Sequence, residues 1–320
     1  MAKNKKIPSI VKAIRNKPIR PINFAFDKVI SYSQASMYES CPKKWALKYK
    51  EKIRPPDQNI NLLFGICIHE VIQEYLEEMY NNTVVSADSM DLISMLQSKF
   101  SEQYKKLYKK NQSTHFTDPV EMHEFFTDGS LILKEFKSKR GKYFNKRGWF
   151  LVGCETPISI LPDKIKKNIT FRGYLDVVLY HEPTNTIEII DLKTSTRGWR
   201  PKFEKKDELK NLQLVVYKKY LSDIFGFELK NIKIKYLILK RKLYDNIDFP
   251  QSRLQEHSPS DGRNTIMKAE KLVTNFINEA FDENSKIKDK KFEAKPSKWN
   301  CAFCPYSEDL KTCGQGLRFK

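Results

Sequence analysis

Two apolar runs separated by five turn residues constrain this chain more than any other feature. Thr170–Tyr180 and Thr186–Lys193 have the composition and length of buried strands, and His181, Glu182, Pro183, Thr184 and Asn185 lie between them. A gap of that length and chemistry predicts an antiparallel hairpin. Each run carries one carboxylate among apolar neighbours: Asp176 precedes Val177, Val178 and Leu179, and Asp191 follows Ile187, Ile189 and Ile190. A carboxylate rising from a buried strand needs a partner, because desolvating the charge is costly. Side chains two apart on a strand share a face, so Asp191 and Lys193 point one way while Ile190 and Leu192 enter the core. Antiparallel pairing brings Asp176 beside Asp191. Two hard oxygen donors so placed suit Mg2+ or Mn2+, and an adjacent lysine can orient a water and balance charge on a phosphate. An Asp-x-Lys pair alone is also a common solvent-facing strand edge; the apolar runs around both carboxylates favour the site.

Around the hairpin, periodicity predicts helices over 33–50, 62–80, 90–110, 119–140, 207–225 and 258–281. Further strands are expected at Trp149–Ile160 and Ile232–Lys240. This order predicts an α/β fold, a mixed central sheet flanked by helices, with a helical front and a small C-terminal cap. Four parts follow in sequence: a basic N-terminal arm over 1–30, expected to be flexible; a helical region over 31–145; the sheet-bearing core over 146–285; and a cysteine segment over 286–320.

Lysine and arginine number 58 against 39 aspartate and glutamate, a net charge of +19 in 320 residues. Such an excess favours a polyanionic partner, of which nucleic acid is the commonest, through counterion release at each phosphate contact. Directly after the hairpin, 194–206 contains Arg197, Trp199, Arg200, Lys202, Lys205 and Lys206. Cations with an aromatic beside a catalytic strand fit a strand-binding groove. Lys105, Lys106, Lys109 and Lys110 form a second basic patch, on a helical stretch that could arch over single-stranded DNA or be a solvated helix pair. No apolar run is long enough to cross a bilayer, and the N-terminus lacks the apolar core of a secretory signal. A cytoplasmic setting in a bacterial or phage-infected cell is expected, with mitochondrial and nuclear settings left open.

Three of the six cysteines, Cys301, Cys304 and Cys313, crowd into the last twenty residues. Without a sign of export, this clustering points to metal or cluster ligation and not to disulfides. Three thiolates need a fourth, and Cys41 is the best candidate; zinc and an iron–sulfur centre both accept four thiolates. Cys67 and Cys154 lie in apolar stretches and read as buried, inert thiols.

Tyr174-Leu175-Asp176 followed by Ile190-Asp191-Leu192-Lys193-Thr194 resembles the D…(D/E)-x-K signature of the PD-(D/E)XK nuclease superfamily, and most closely its RecB-like branch with the Cas4 and AddB nucleases. Ser31 through Cys41-Pro42-Lys43-Lys44-Trp45 and Tyr49 resembles that branch's opening helix. Gly65-Ile66-Cys67-Ile68-His69 resembles its Gly-x3-His segment, and Gln213-Leu214-Val215-Val216-Tyr217 its Gln-x3-Tyr motif.

The resemblance implies a restriction-endonuclease-like core and metal-dependent hydrolysis of DNA. His69, Asp176, Asp191 and the Leu192 carbonyl would hold Mg2+ or Mn2+, Lys193 would position the attacking water, and Gln213 and Tyr217 would support a phosphate or Lys193. Glu155 falls where the branch often carries an acid, as a supporting or second-metal residue. Cys41, Cys301, Cys304 and Cys313 would bind a [4Fe–4S] cluster, with zinc as the alternative occupant; the eight residues between Cys304 and Cys313 exceed the family's usual gap. Exonuclease action on single-stranded DNA or DNA ends is implied, in repair, recombination or replication beside a helicase or recombinase. The rivals are a structure-specific endonuclease and a non-enzymatic DNA-binding module.

Overall fold

A computed structural model describes residues 6–17, 28–53, 59–162, 167–200, 207–246, 248–307, 309 and 311–317. Helices are α1 (Ser9–Arg15), α2 (Tyr32–Ser40), α3 (Pro42–Tyr49), α4 (Ile60–Asn81), α5 (Val84–Ser89), α6 (Leu92–Lys110), α7 (Pro119–Tyr143), α8 (Glu208–Phe225), α9 (Arg263–Ala280) and α10 (Lys298–Cys301). Strands are β1 (Lys28–Ile30), β2 (Trp149–Ile160), β3 (Ile169–His181), β4 (Thr186–Ser195), β5 (Ile232–Lys240) and β6 (Leu254–His257). The six form a mixed sheet in the order β1-β3-β4-β5-β6, with β2 also paired to β3. This is the mixed α/β architecture expected of a restriction-endonuclease-like core.

By its contacts the chain forms two compact units that are not consecutive in sequence. The first comprises Met1–Pro18, Gln58–Thr156 and Tyr174–Ser260; the second comprises Ile19–Asp57, Pro157–Gly173 and Asp261–Lys320. The four-part linear division cuts across both.

In the first unit, β3 and β4 form the expected hairpin, registered from Val177 opposite Ile190 to His181 opposite Thr186. Asn185, in the left-handed region at φ 46°, closes its turn. β4 pairs parallel with β5 over Ile187–Ser195, and β6 closes that edge antiparallel to β5. Parallel neighbours need a crossover, and α8 supplies it between β4 and β5. The core is one cluster in which Leu63, Phe64, Ile68 and Ile72 of α4 join Leu96 of α6, Leu133 and Phe136 of α7, and Ile190 and Leu192 of β4. Asn59, Asp91, Asp118 and Asp207 cap α4, α6, α7 and α8, each accepting a hydrogen bond from a first-turn N–H.

In the second unit, β1 pairs parallel with the start of β3, Lys28–Ile30 against Ile169–Phe171. Its centre is Trp45, fully buried, with Tyr38, Phe276, Phe281 and Phe292 packed on it edge-on at ring separations of 5.3–5.9 Å.

Two expectations need correction. The single helix over 33–50 is two helices, broken at Cys41, whose backbone is extended at φ −160° and ψ 104°. Pro42 is the cause, because it disfavours helical geometry in the preceding residue and serves well at a helix start. The helix over 258–281 begins only at Arg263, and the strand β6 precedes it. Within the basic arm, α1 buries Val11 and Ile14, and Arg15 donates to the carbonyls of Leu151 and Val152.

Candidate active site

β4 carries the centre of the site. Its buried run places Ile190 and Leu192 on one face, fully enclosed, and Asp191 and Lys193 on the other. One step beyond the last registered pair, the antiparallel ladder sets Asp176 of β3 opposite Asp191. Asp176 Oδ2 accepts the Leu192 N–H at 2.8 Å, and Lys193 Nζ lies 2.8 Å from Asp191 Oδ2. His69, on the α4 face toward the sheet, puts Nδ1 3.6 Å from Asp176 Oδ2. The four residues expected to converge therefore do so within one unit.

Burial governs the charges here. It raises both carboxylates, Asp176 and Asp191, to about 6, against opposing pulls from Lys193. Burial also lowers His69 to about 4, although a quarter of its side chain reaches solvent, so the ring is neutral near pH 7 and able to ligate. Burial pushes Lys193 down, but the charge and hydrogen bond of Asp191 together with Asp176 and Tyr217 push it up, and the net shift is upward. Its ammonium also lies 5.9 Å from the centre of the Tyr236 ring.

Among the described residues, no three His, Cys, Asp or Glu side chains stand arranged to hold a metal ion. The donor set nonetheless fits a divalent cation. Asp191 Oδ2 is buried and, beyond the nearby ammonium, has no hydrogen-bond donor. Two carboxylates, one neutral imidazole and a strand carbonyl match the chemistry of Mg2+ or Mn2+.

Gln213 and Tyr217 lie one turn apart on α8, the Gln213 Nε2 donating to Tyr217 Oη at 3.3 Å. Burial raises the Tyr217 hydroxyl to about 12, and it feels the charges of Asp191, Lys193 and Asp176. Glu155 stands in β2 at φ 49°, a left-handed residue within a strand. Its Oε1 accepts a 2.9 Å hydrogen bond from Gln73 Nε2, which also reaches the Asp176 carbonyl at 3.2 Å. Sequence reasoning missed Gln73. The available signal was a polar residue one turn after His69 on the buried, otherwise apolar face of α4, where i and i+4 meet.

The described part of the basic segment after β4, up to Arg200, is folded back on the sheet. Gly198, at φ 87°, lies so close to Lys240 and Gln255 that an added Cβ would fall 2.6 Å and 2.7 Å from them. Gln255 brackets Trp199, accepting from its N–H and donating to its carbonyl. The Trp199 ring, expected to contribute to a strand-binding groove, is buried against Tyr236, 4.8 Å away, and His257. Arg197 rests on the Tyr244 ring and Arg200 is exposed; Lys202 lies outside the described residues.

A profile of the PD-(D/E)XK nuclease superfamily matches residues 29–308. The chain belongs to the PD-(D/E)XK nuclease superfamily. That match spans every residue of the carboxylate–lysine centre, and the superfamily is one of metal-dependent nucleases that typically use Mg2+ or Mn2+ and act on DNA. No curated protein matches the chain. Among solved structures, the crystal structure of SSO0001 aligns over 95% of both chains at 13% identity, with a TM-score of 0.37. No described helix of this superfamily member is long and apolar enough to cross a membrane.

The cysteines occupy the second unit. Cys41, Cys301, Cys304 and Cys313 line one small cavity, joined by Asn300, Tyr306 and Gly316. The chain ends are tied there by Asn300 donating to the Ser40 carbonyl at 2.8 Å and by Tyr306 to the Ile53 carbonyl at 2.7 Å. The Lys295 N–H points at Cys41 Sγ from 3.5 Å. Burial raises the Cys304 thiol, and the other close charges include Lys44, Cys313 and Cys41. Cys67 is buried and Cys154 half-buried; burial pushes Cys67 up to about 12 and Cys154 up also.

Proposed function

We propose that the chain is a deoxyribonuclease of RecB-like type that degrades single-stranded DNA or DNA ends as an exonuclease. The observation that carries this reading is the convergence of His69, Asp176, Asp191 and Lys193 around a buried carboxylate oxygen that meets no donor beyond the Lys193 ammonium. His69, Asp176, Asp191 and the Leu192 carbonyl would hold Mg2+ or Mn2+. Such an ion supplies Lewis acidity toward the phosphate and makes a hydrolytic water more acidic. Lys193 orients the attacking water and stabilises charge on the phosphate. Tyr217 and Gln213 support Lys193 and the phosphate from α8. Glu155, held by Gln73, steadies the Asp176 strand from the other side. Arg197, Arg200 and Lys202 would take the substrate backbone.

In the same reading the four cysteines bind a [4Fe–4S] cluster, as in Cas4 and AddB nucleases. The shared cavity and the N–H directed at Cys41 Sγ fit a thiolate-bound centre, and zinc is the competing occupant. Iron, sulfide and zinc assays on the purified protein decide between the two.

The activity is tested with end-labelled single- and double-stranded DNA and a circular control, in Mg2+ or Mn2+ and in EDTA. Metal-dependent loss of linear DNA with circles intact is expected, and Asp191→Ala should abolish it. Cleavage of circles would favour the endonuclease reading. Full activity in Asp191→Ala would sink the assignment, and DNA binding without cleavage would favour a binding module.

A further inference from the structure

A cleft of about 890 Å3 opens between α6 and the start of α7, within the first unit. Its volume is that of a small-molecule site. No residue of the candidate active site lines it. Gln97, Phe100 and Tyr104 enter from α6 at helical spacing, and His115, His123 and Phe126 from the connection and α7. The wall is flat and aromatic: Tyr104 stacks with Tyr108 at 6.1 Å and 21°, and with His115 at 6.3 Å and 20°. Tyr104 Oη lies 2.5 Å from His115 Nδ1, which fixes the two rings together. Gln97 and His123 have no hydrogen-bond partner among the described residues, and both can donate and accept.

Lys105 and Lys109, one turn apart, follow directly after Tyr104 and Tyr108 on α6, which sets both on one side of the aromatic stripe. With Lys110 they are exposed and have no carboxylate partner among the described residues. Of the acids nearby, Glu102 is paired with Lys106 and Glu124 with Lys242, while Asp118, the α7 cap, and Glu121, bonded by the Thr117 hydroxyl, meet neutral donors and keep their charge. An apolar peptide would use the rings but not the lysines. A phosphate alone would use the lysines but not the cleft.

We infer that this cleft receives a base of single-stranded DNA, stacked on the Tyr104–His115 wall, with its flanking phosphates on Lys105 and Lys109. The inference deepens the nuclease reading by adding a strand-holding site away from the cleaving centre. Base stacking on an aromatic is sequence-tolerant and contributes about 1–3 kcal/mol, roughly 5- to 100-fold in affinity.

The test separates this site from the chemistry. Binding of a fluorescent oligothymidylate, and of an abasic strand of equal length, is measured in EDTA by anisotropy. Hydrolysis of bis(p-nitrophenyl) phosphate, too small to reach the cleft, is measured in Mn2+. Tyr104→Ala should weaken oligothymidylate binding about 5- to 100-fold, leave abasic binding unchanged, and leave ester hydrolysis unchanged. Tyr104→Trp, which keeps a flat ring, should restore the binding. Unchanged oligothymidylate affinity in Tyr104→Ala, equal losses on both strands, or failure of Tyr104→Trp to rescue would overturn the site. Absence of ester hydrolysis in every protein would count against the nuclease reading and leave the binding result standing.

Discussion

At Asp191, a side chain with 3% exposure sits beside an ammonium and opposite a second carboxylate, and burial lifts it to about 6. A carboxylate raised above its unfolded value stabilises the fold below the unfolded pKa, and that contribution disappears as pH rises through the folded one. In metal-free protein, Asp191→Asn should therefore gain stability over wild type as pH rises from about 4 to about 6, then level off. Thermal melts of both proteins in EDTA measure the gap, and a gap independent of pH would refute the electrostatic account. Adding Mg2+ at neutral pH should narrow it, since an ion that binds the native site stabilises only wild type. Gln73 makes a different residue-scale prediction. Gln73→Leu fits the buried apolar face of α4 but removes two hydrogen bonds, one of them to the Asp176 backbone. Stability should fall by about 1–3 kcal/mol. The DNA cleavage rate should fall further than substrate affinity, read as kcat against KM. The motif residues themselves were legible because each breaks an apolar pattern. Gln73 was not, and neither was its pairing with Glu155, because that pairing depends on a left-handed residue inside β2 that no periodicity announces.

At the scale of elements, the long helices and the hairpin follow from local pattern: α4, α6, α7, β3, β4 and β5 lie where periodicity and turn chemistry put them. The misses have local causes of another kind. Pro42 overrode helix periodicity at Cys41, and the four-residue β6 is too short to stand out without the β5 edge it completes. The segment after β4 is the instructive case. Its composition suggests a solvated basic loop, yet Gly198 and Gln255 press it against β5 and β6 and bury Trp199. Gly198→Ala should cost about 1–3 kcal/mol, because alanine is strained at that φ and its Cβ collides with Gln255. Denaturant melts test this, and a neutral effect would mean the segment is not clamped. Partial loss of DNA cleavage should accompany it, since the clamp continues directly from the catalytic strand.

Across the whole molecule, the second unit depends on residues from both ends of the chain. Trp45 and the rings of Phe276, Phe281 and Phe292 make its centre. Trp45→Ala should cost about 3–5 kcal/mol, as expected of a large buried aromatic. If the cysteines hold a cluster, Cys41→Ser should also remove bound iron and sulfide and lower the melting temperature. Retention of full iron in Cys41→Ser would exclude Cys41 as a ligand.

Sequence by itself determined the α/β class, the hairpin, the carboxylate pair and its lysine, and the cationic character of the chain. These rest on side-chain alternation, on turn residues and on the cost of burying a charge, all of which act between near neighbours. Only the tertiary structure decided that the two units interleave along the chain, that Gln73 holds Glu155, that Trp199 is a packed residue, and that four cysteines share one cavity. Each of those depends on contacts between residues tens to hundreds of positions apart, where local propensity carries no information and the packing of the whole chain sets the outcome.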